Sequence, residues 1–409
     1  MTQNSNDKRV VKNRSNDGAI YRAAQNLKNM HVNPDDLLAR EFPIERSLSY
    51  LNHAAVAPWP VRTREAVNNF ASQCVDSGAQ RYAEWLRIEQ QLRSQLAYLI
   101  NAPAANDIAL LKNTSEALSV VAHGFPWQAG DNAVICDEEF PSNRIVWESL
   151  TRYGVTVRQV SARDSAQPEQ SLMAAMDAHT RLLSISSVQY GSGLRLDLAL
   201  LGQFCKEKGV AFCVDAIQGL GALHHDVQAM HIDFLMADGH KWLLGPEGLA
   251  VFYCPATWRD RLKLYQYGWH MTEDYLNFDR RDWRPADSAR RFECGSPNML
   301  GIHALSASLS LIIELGINEI ERRVLARAQH LFDKIKRHPD LELITPTAAG
   351  RYAGIVTFRH RKISAVNLFK HLQEHKVMCA MRGGGIRFSP HCYTRLQTLD
   401  NAIGLIKEI

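Results

Sequence analysis

The sequence predicts an α/β fold, with a large domain built on a mostly parallel sheet and a smaller α+β domain towards the C-terminus. Three observations lead to this prediction. Short apolar runs alternate with helical stretches from Pro60 onward, no repeat interrupts them, and the pattern changes after Pro297. Apolar strands separated by helices are typical of a parallel sheet that is covered on both faces.

The elements of the large domain follow in order along the chain. Residues 61–100 carry apolar side chains at helical spacing with few breakers, which predicts one long helix. Short apolar runs then predict the seven strands of the sheet, at 108–111, 133–136, 155–160, 182–186, 210–215, 234–237 and 249–253. Helical stretches lie between many of these strands, for example at 115–125, 143–153 and 198–208.

The C-terminal part has a different order of elements, which predicts a second domain. A long helix is predicted over 301–337, followed by strands at 341–344 and 354–360. A helix at 364–375, strands at 377–381 and 386–389 and a last helix at 399–409 complete the pattern. We therefore divide the chain into a polar extension (1–35) with a short helix at 19–30, a joining segment (36–60), a large domain (61–299) and a small domain (300–409).

Charge and hydropathy exclude several classes of function. Lys and Arg total 47 against 43 for Asp and Glu, and a net charge of +4 is too weak to predict nucleic-acid binding. Acidic neighbours dilute the basic and aromatic cluster at 280–284, so this cluster predicts no such contact either. No apolar run approaches the roughly 20 residues that span a bilayer, and we expect no membrane association and no secretory signal.

Cysteine and histidine usage points to a reduced compartment and to no metal. The eight cysteines form no CxxC pair, and several lie in apolar runs. We interpret them as reduced, mostly buried thiols of a cytoplasmic protein. His224, His225 and His231 lack a coherent ligand spacing, so we predict no metal site.

Charged residues stand where two neighbouring strands of the predicted sheet end. Asp215 closes the strand predicted at 210–215, and Lys241 follows the strand at 234–237. In an open α/β sheet, ligands bind at the carboxyl ends of the strands. These two residues could form a structural ion pair, or they could be the two protein contacts of pyridoxal 5′-phosphate (PLP).

The chemistry of PLP explains these residue types. A lysine amine forms an imine with the aldehyde only when it is neutral, and burial or nearby positive charge favours the neutral form. An aspartate keeps the ring nitrogen protonated, so that the ring can accept electrons from the substrate. A phosphate needs amide donors at a helix start, and Thr114 and Ser115 stand where a strand passes into a helix. Alone, these two residues also fit a plain N-cap.

Segments 214–219 and 233–248 resemble those of the class V aminotransferases, which are PLP enzymes of fold type I. That group includes cysteine desulfurases, selenocysteine lyases, kynureninases and isopenicillin-N-epimerase-like proteins. The resemblance extends from about Leu51 to the end of the chain. It implies the PLP-dependent transferase fold, PLP as the cofactor and a homodimer.

The resemblance implies a role around the cofactor for each matching residue. Lys241 matches the lysine that carries PLP as a Schiff base, and Asp215 matches the partner of the pyridine nitrogen. Gln218 matches the residue that hydrogen-bonds the phenolic oxygen of PLP. The other cofactor contacts that it implies are Thr114, Ser115 and His240 at the phosphate, and Phe140 stacked on the ring.

The resemblance also implies contacts with the substrate and with a second subunit. Arg387 matches the arginine that holds the substrate α-carboxylate, a role that suits a planar guanidinium, although the residue alone would also fit a surface salt bridge. Asn52 and His53 belong to a segment that lines the substrate pocket. Ser296 matches a hydroxyl that reaches the phosphate bound by the other subunit.

Three departures from the desulfurase pattern shape the functional prediction. Only four residues join Arg382 to Arg387, so the mobile, cysteine-bearing loop of the desulfurases has no counterpart. Phe140 stands where the desulfurases have a histidine, and phenylalanine can stack but cannot transfer a proton. Asp238 stands where they have a serine that contacts the phosphate, and we expect this carboxylate to point elsewhere because it would repel the phosphate. Phe140 and Asp238, together with Trp242 and the segment 389–391, favour the isopenicillin-N-epimerase-like branch.

We therefore predict an enzyme in which Lys241 moves the α-proton of an amino-acid substrate, a small molecule. Transamination, epimerisation and β- or C–S-elimination share this step, and the sequence leaves them open. One alternative is a cysteine desulfurase or selenocysteine lyase, which the missing loop disfavours. Another, from a different class, is a catalytically silent PLP-fold protein that serves as a binding or scaffold subunit.

Overall fold

The computed structural model describes residues 33–162 and 167–406, and the described chain begins with helices. Its first elements are helix α1 (Pro34–Glu41), the short strand β1 (Ser49–Tyr50) and helices α2 (Val61–Ser77) and α3 (Tyr82–Leu99). The single helix predicted over 61–100 is therefore wrong. Gly78 has a φ of 55°, which a helix cannot contain, and a 3-10 turn at Gly78–Arg81 separates α2 from α3.

The central sheet has seven strands, which confirms the predicted number. They are β2 (Ile108–Leu111), β3 (Asn132–Cys136), β4 (Thr156–Val160), β5 (Thr180–Ser186), β6 (Ala211–Asp215), β7 (Phe234–Asp238) and β8 (Ala250–Tyr253). Their order across the sheet is β2-β8-β7-β6-β5-β3-β4. Strands β3 to β7 are mutually parallel, and β8 is antiparallel to both of its neighbours, so the sheet is mostly parallel as predicted.

Helices cover both faces of this sheet. They are α4 (Thr114–Gly124), α5 (Ser142–Glu148), α6 (Pro168–Ala174), α7 (Leu198–Lys208) and the single turn α8 (Ala256–Arg259). Successive residues of a strand point to opposite faces. In β6, Phe212 and Val214 pack in the layer with α3 and α7, whereas Ala211 and Cys213 pack in the layer with α4 and α5. Because both faces are buried, these strands have continuous apolar sequences.

Two helices after the sheet meet at a sharp angle. Helices α9 (Met299–Leu315) and α10 (Ile317–Lys336) are bent by 84° at Gly316, whose φ is 79°. The single helix predicted over 301–337 is therefore wrong, because the glycine adopts a backbone conformation that ends α9. Within the described ranges no single helix is long and apolar enough to cross a membrane. Only α9 and α10 taken together have the length and apolar composition of a span, and they are bent.

The C-terminal elements form a small antiparallel sheet with helices packed on it. They are β9 (Leu341–Leu343), β10 (Val356–His360), α11 (Ala365–Glu374), β11 (Val377–Met378), β12 (Ala380–Arg382), β13 (Gly385–Phe388) and α12 (Leu396–Ile406). The sheet order is β12-β13-β10-β9, and β11 pairs instead with β1, in parallel. The single strand predicted over 377–381 is therefore two strands, β11 and β12, which belong to different sheets. Residues of α10, α11 and α12 pack with β10 and β13 in one apolar cluster.

The division of the chain at the bounds predicted from sequence stays a proposal, and two contacts support the joining role of residues 36–60. Ser49 of the joining segment pairs with Val377, and Asn52 forms a bridge with Ser389. The joining segment therefore contacts the C-terminal elements while it approaches the edge of the large sheet. The helix predicted at 19–30 and residues 407–409 of the predicted last helix lie outside the described residues.

Candidate active site

The candidate residues follow strands that end at the same edge of the large sheet. Strands β2, β3, β5, β6 and β7 all run in one direction. Thr114 follows β2, Phe140 follows β3, Asp215 is the last residue of β6 and Lys241 comes shortly after β7. Parallel pairing therefore brings residues that are far apart in sequence to one side of the sheet, where open α/β folds bind ligands.

Asp215 is buried and Lys241 is half-buried, and their surroundings shift the pKa of each side chain. Asp215 is 2% exposed, and its Oδ1 accepts a hydrogen bond from the Ile217 amide at 3.0 Å. Burial raises the pKa of Asp215, and burial lowers the pKa of Lys241 from its ordinary value. Among the described residues the Lys241 side-chain amine forms no hydrogen bond and no salt bridge within 4.0 Å, so the structural ion pair weighed above is absent there.

Phe140 lies beside the lysine amine. Lys241 Nζ lies 5.7 Å from the centroid of the Phe140 ring. The ring of Tyr190 meets Phe140 edge-on, with centroids 5.1 Å apart. Phe140 is 42% exposed, so one face of its ring is free to contact a ligand. Stacking of this ring on the cofactor stays a prediction, and the open aromatic face beside the amine supports it.

The Gln218 amide is oriented by two buried contacts. Trp242 Nε1 donates to Gln218 Oε1 at 3.1 Å, and Gln218 Nε2 donates to the Ala54 carbonyl at 3.0 Å. A side-chain amide nitrogen has two protons, and only one is used here. The second proton is available for the phenolic oxygen, which is the role predicted for this residue.

Asp238 points at the predicted phosphate loop, and the expectation that it points elsewhere is wrong. Its Oδ2 accepts hydrogen bonds from the Thr114 amide at 3.2 Å and from Thr114 Oγ1 at 3.3 Å. Its Oδ1 lies 3.9 Å from His240 Nδ1, and neither of these two buried atoms has a hydrogen-bond partner among the described residues. The expectation considered only repulsion of a phosphate. The start of α4 attracts a carboxylate for the same reason that it attracts a phosphate.

The charge state of this loop follows from burial. Burial raises the pKa of Asp238 to about 6, and the two Thr114 donors oppose that shift. Burial lowers the pKa of His240 to about 4, so this imidazole is neutral at pH 7. Ser115 is exposed, and its hydroxyl donates to Ser142 Oγ at 2.8 Å. The start of α4 therefore offers hydrogen-bond donors to a phosphate, but the Asp238 carboxylate at the end of β7 already uses those of Thr114.

Arg387 is a buried cation without a carboxylate partner among the described residues. It is 3% exposed, and its Nη1 donates to the Tyr190 carbonyl at 2.8 Å. Its Nε has no partner in the described chain. Burial and the charge of Arg382 lower the pKa of Arg387 to about 10. The predicted alternative of a surface salt bridge is wrong, because the residue is neither on the surface nor paired.

The two N-terminal candidates behave differently. His53 is fully buried, with Nδ1 2.8 Å from the Ser389 carbonyl and Nε2 2.6 Å from Tyr393 Oη. Both ring nitrogens are therefore used within the protein, so this side chain offers a substrate no free polar atom. Asn52 has a buried Oδ1 that lacks a partner in the described chain, and it remains a candidate contact.

Ser296 lies on an exposed loop before α9. Its neighbours in this loop include Cys294, Gly295 and Pro297, which line a surface cavity of about 310 Å³. This position is compatible with contact to a second subunit, which remains a prediction.

Three residues that the sequence did not single out lie close to these candidates. They are Glu139, Gln189 and Tyr190. Glu139 is a buried carboxylate directly before Phe140, and it accepts a hydrogen bond from Gln189 Nε2 at 2.8 Å. Tyr190 contacts both Phe140 and Arg387. A carboxylate in a buried strand-end segment was the one signal that could have identified Glu139 from sequence.

The segment before Arg387 is a tight hairpin. Arg382 pairs with Gly385, so only Gly383 and Gly384 form the turn between β12 and β13. Their φ angles are 60° and 81°, which glycine adopts without strain. Cys379 and Cys392, on either side of this hairpin, are both buried, and burial raises the pKa of each thiol to about 12. The hairpin confirms that the four residues between Arg382 and Arg387 leave no room for a mobile loop.

The residues present fit PLP. Two buried polar atoms that lack partners in the described chain, His240 Nδ1 and Arg387 Nε, belong to candidate residues. Such atoms are costly unless a ligand satisfies them. Lys241 can carry the cofactor covalently, Asp215 can pair with the ring nitrogen, and the Thr114 amide lies at the start of α4, where a phosphate binds.

Outside the candidate active site, one cluster in the described ranges has side chains close enough together to hold a metal ion. It consists of Glu89, His270 and Glu293, whose ligand atoms lie within 4.8 Å of one another. Arg93 already forms salt bridges with both carboxylates. The Arg93 guanidinium already neutralises the carboxylate charge that would attract a metal cation. The cluster is therefore better described as a buried ion-pair network.

The large sheet and the lysine after β7 are features of the fold-type-I PLP enzymes, and comparisons with known proteins agree. The family model for "Aminotransferase class-V" matches residues 49–398. The chain therefore belongs to the class V aminotransferase family, and it is a PLP-dependent enzyme. This confirms the family, the fold class and the cofactor that were predicted from the sequence.

Relatives extend over most of the chain. A probable cysteine desulfurase of Methanothermobacter thermautotrophicus is 28% identical over 349 residues, which cover 84% of this chain and 86% of the relative. A cysteine desulfurase of Pectobacterium carotovorum is 29% identical and covers 88% of this chain and 89% of the relative.

Solved structures share the fold. The cysteine desulfurase CsdA of Escherichia coli superposes with a TM-score of 0.82 at 23% identity, covering 92% of this chain and 98% of that one. The cystine C–S lyase C-DES superposes with a TM-score of 0.82 at 22% identity, covering 89% and 98% of the two chains.

Proposed function

We propose that this enzyme acts at the α-carbon of an amino acid whose carboxylate binds Arg387 and whose α-proton is moved by Lys241. One observation carries the proposal. Arg387 and Lys241 lie on the two sides of one aromatic pair: Arg387 Nη1 donates to the Tyr190 carbonyl, and Lys241 Nζ lies 5.7 Å from the Phe140 ring that Tyr190 contacts. Neither side chain forms a salt bridge within the described residues. A substrate with a carboxylate compensates one cation and presents its α-carbon near the other.

The roles of the chain's own groups follow from their surroundings. Bound PLP supplies an electron sink for the electrons that are released at the substrate α-carbon. Lys241 accepts the α-proton, and burial favours its neutral form, which can do so. Asp215 holds a proton at the ring nitrogen, Gln218 donates to the phenolic oxygen, and Phe140 excludes water from one face of the ring.

We propose that the reaction uses no protein-bound persulfide. A persulfide carrier needs a reactive thiolate on a mobile loop. The two-glycine hairpin before Arg387 leaves no such loop, and Cys379 and Cys392 are buried with raised pKa values. Phe140 also offers no proton to a leaving group. These features argue against the cysteine desulfurase and selenocysteine lyase alternatives.

A second candidate within this chemistry is direct C–S bond cleavage in a sulfur-containing amino acid. The names of the relatives favour it, since those at 28% and 29% identity are called cysteine desulfurases. C-DES, described as a cystine C–S lyase, shares the fold. Expulsion of the sulfur group from the β-carbon would need only α-proton removal by Lys241. Transamination and epimerisation use the same step and remain alternatives.

A silent scaffold is the alternative from another class, and the pocket argues against it. A binding subunit has no need of an unpaired, half-buried lysine beside an unpaired, buried arginine, because each lowers stability in the absence of a ligand. Lys241 and Arg387 are such residues, and the pKa of each is lowered by burial.

We also propose a homodimer in which Ser296 reaches the cofactor of the other subunit. Exposed aromatic side chains at 265–283 support a protein contact near this loop, with Tyr267 63% and Phe278 75% exposed. All eight cysteines are free, which supports the cytoplasmic location proposed from the sequence.

Product analysis across an amino-acid panel tests the proposed function. The PLP-loaded enzyme is incubated with each amino acid, with and without a keto-acid acceptor, and Lys241→Ala is the control. We expect at least one amino acid to give an amine transfer, an epimer or an elimination product that the control does not give. If no amino acid reacts and none changes the cofactor absorbance, the proposed action at the α-carbon of an amino acid is wrong.

A further inference from the structure

Glu139 is a buried carboxylate beside the candidate site, and no step proposed above uses it. It is 5% exposed. Its Oε1 accepts hydrogen bonds from the Ser186 amide and from Gln189 Nε2, each at 2.8 Å. Its Oε2 accepts one from Asn143 Nδ2 at 2.8 Å and one from the Ser186 hydroxyl. A carboxylate has about four lone-pair positions, so the protein satisfies every one of them.

This environment selects a carboxylate over an amide. The four groups around Glu139 all donate to it. A glutamine at this position would direct its NH₂ group at two of these donors, and at least one hydrogen bond would be lost, because a backbone N–H or a side-chain NH₂ group cannot accept. The site therefore distinguishes two side chains of nearly equal size.

The loop that Glu139 holds contacts both parts of the candidate site. Tyr190 follows Gln189 directly, and its carbonyl accepts the Arg387 Nη1 hydrogen bond at 2.8 Å. The Tyr190 ring packs edge-on against Phe140. The next carbonyl, that of Gly191, accepts a hydrogen bond from Thr357 Oγ1 of β10 at 2.7 Å. This loop therefore joins the large sheet to the small sheet that carries Arg387.

We propose that Glu139 is a positioning residue that fixes the Arg387 guanidinium for the substrate carboxylate, acting through Gln189 and the Tyr190 carbonyl. Arg387 lies on β13, outside the large sheet that carries Lys241. Its direction relative to Lys241 therefore depends on what joins the two sheets. Bidentate carboxylate binding requires a well-defined guanidinium direction, so a loosened Tyr190 carbonyl weakens it. The inference rests on the proposed function, in which Arg387 binds the substrate carboxylate.

The test compares two ligands of the PLP-loaded enzyme that differ only in the carboxylate, L-alanine and ethylamine. The change in cofactor absorbance gives a Kd for each ligand. Glu139→Gln should weaken L-alanine binding by about tenfold and change ethylamine binding by less than about twofold. Glu148→Gln is the matched control, because it makes the same substitution at a half-exposed glutamate that is paired with Arg144. It should change neither Kd.

Gln189→Met tests the route of the effect, and it replaces Glu139→Gln if that variant does not fold. Methionine removes the amide donor with little change in size. It should also weaken L-alanine selectively, and the double variant should lose no more than the stronger single variant, because both changes break the same chain of contacts. A loss that is additive in the double variant would overturn the route through Gln189.

Arg387→Met separates failure of this inference from failure of the proposed function. If Arg387→Met removes the preference for L-alanine over ethylamine while the Glu139 and Gln189 variants keep it, the positioning role is wrong and the function stands. If Glu139→Gln weakens both ligands equally, the residue is only structural and the inference is also overturned. If Arg387→Met keeps the preference, the proposed function itself is wrong.

Discussion

Asp238→Asn should stabilise the cofactor-free protein and tighten its binding of a phosphate at neutral pH. The carboxylate of Asp238 lies on the Thr114 amide and hydroxyl at the start of α4. Asparagine can still accept these hydrogen bonds through its Oδ1. Its NH₂ group would then replace the oxygen that lies 3.9 Å from His240 Nδ1, where a donor is more favourable than an acceptor.

The effect on stability follows from the pKa. Burial raises the pKa of Asp238 to about 6 from its ordinary value of 3.8. Because the raised pKa belongs to the folded state, the folded protein binds this proton more tightly than the unfolded chain. The ionised carboxylate therefore lowers stability above pH 6, and this loss disappears as the pH falls below 3.8. The difference corresponds to about 3 kcal/mol, which asparagine removes because it is neutral at every pH.

Asp238→Asn should favour phosphate binding for the same reason that it favours the folded protein, because it removes a negative charge. The ionised carboxylate and a phosphate compete for the Thr114 donors and repel each other, which costs several kcal/mol at this range. Wild-type affinity should therefore rise as the pH falls through the pKa of Asp238, and the variant should lack this dependence. At about pH 8 we expect the variant to bind ten- to a hundredfold more tightly. The other charged groups that act on Asp238 are Lys241 and Glu247, with His240 adjacent, and the substitution retains all three.

Two measurements on the cofactor-free protein check this prediction. Urea unfolding at about pH 5 and pH 8 gives the free energy of unfolding, and fluorescence titration with pyridoxine 5′-phosphate gives the Kd. This probe has no aldehyde, so the chemistry of Lys241 does not enter. The exposed Asp282→Asn is the control and should change neither value. If Asp238→Asn destabilises the protein at pH 8, or weakens the binding of the probe, the reasoning is refuted.

The remaining predictions concern the lysine, the thiols and the assembly. Lys241→Ala should abolish the borohydride-reducible cofactor adduct, and an adduct mapped to another lysine would contradict its role. Asp215→Asn should lower the pKa of Lys241 further, because the Asp215 charge raises it, so PLP capture should reach its plateau at a lower pH. Cys379→Ser and Cys392→Ser should each keep turnover, and a trapped persulfide on either would disprove this. Light scattering should give a dimer, with Ser296→Ala weakening PLP binding; a monomer that binds PLP tightly would exclude the proposed contact.

The large sheet could be predicted from the sequence because its strands are buried on both faces. Each strand then has a continuous apolar run, and each predicted bound lies within two residues of the observed one, as in Thr180–Ser186 for the predicted 182–186. The candidate site residues could be located from the same strands, because a predicted strand also gives the position of its carboxyl end, where ligands bind. The helix breaks at Gly78 and Gly316 were missed, since apolar side chains continue at helical spacing on both sides of each glycine.

Contacts between distant segments could not be predicted in the same way. Asp238 finds its donors at Thr114, and His53 finds its partners at Ser389 and Tyr393. A local pattern gives the type of a residue, but it does not say which polar group will lie opposite once the chain folds. This is why the direction of the Asp238 carboxylate was wrong, and why the environment of Glu139 became visible only in three dimensions.

The buried cations that the protein leaves unpaired indicate what its ligand must carry. Arg93 and Arg387 are both buried, but Arg93 is held by the carboxylates of Glu89 and Glu293, whereas Arg387 is held by a single carbonyl in the described chain. A buried charge is tolerated only when opposite charge or hydrogen bonds compensate it. The same chain therefore satisfies one arginine completely and leaves the other to a ligand. We propose that a carboxylate on the substrate supplies the missing charge, while the ionised Asp238 carboxylate disfavours a phosphate at the start of α4 until it takes up a proton. Under this proposal two separate charged side chains control substrate recognition and cofactor retention.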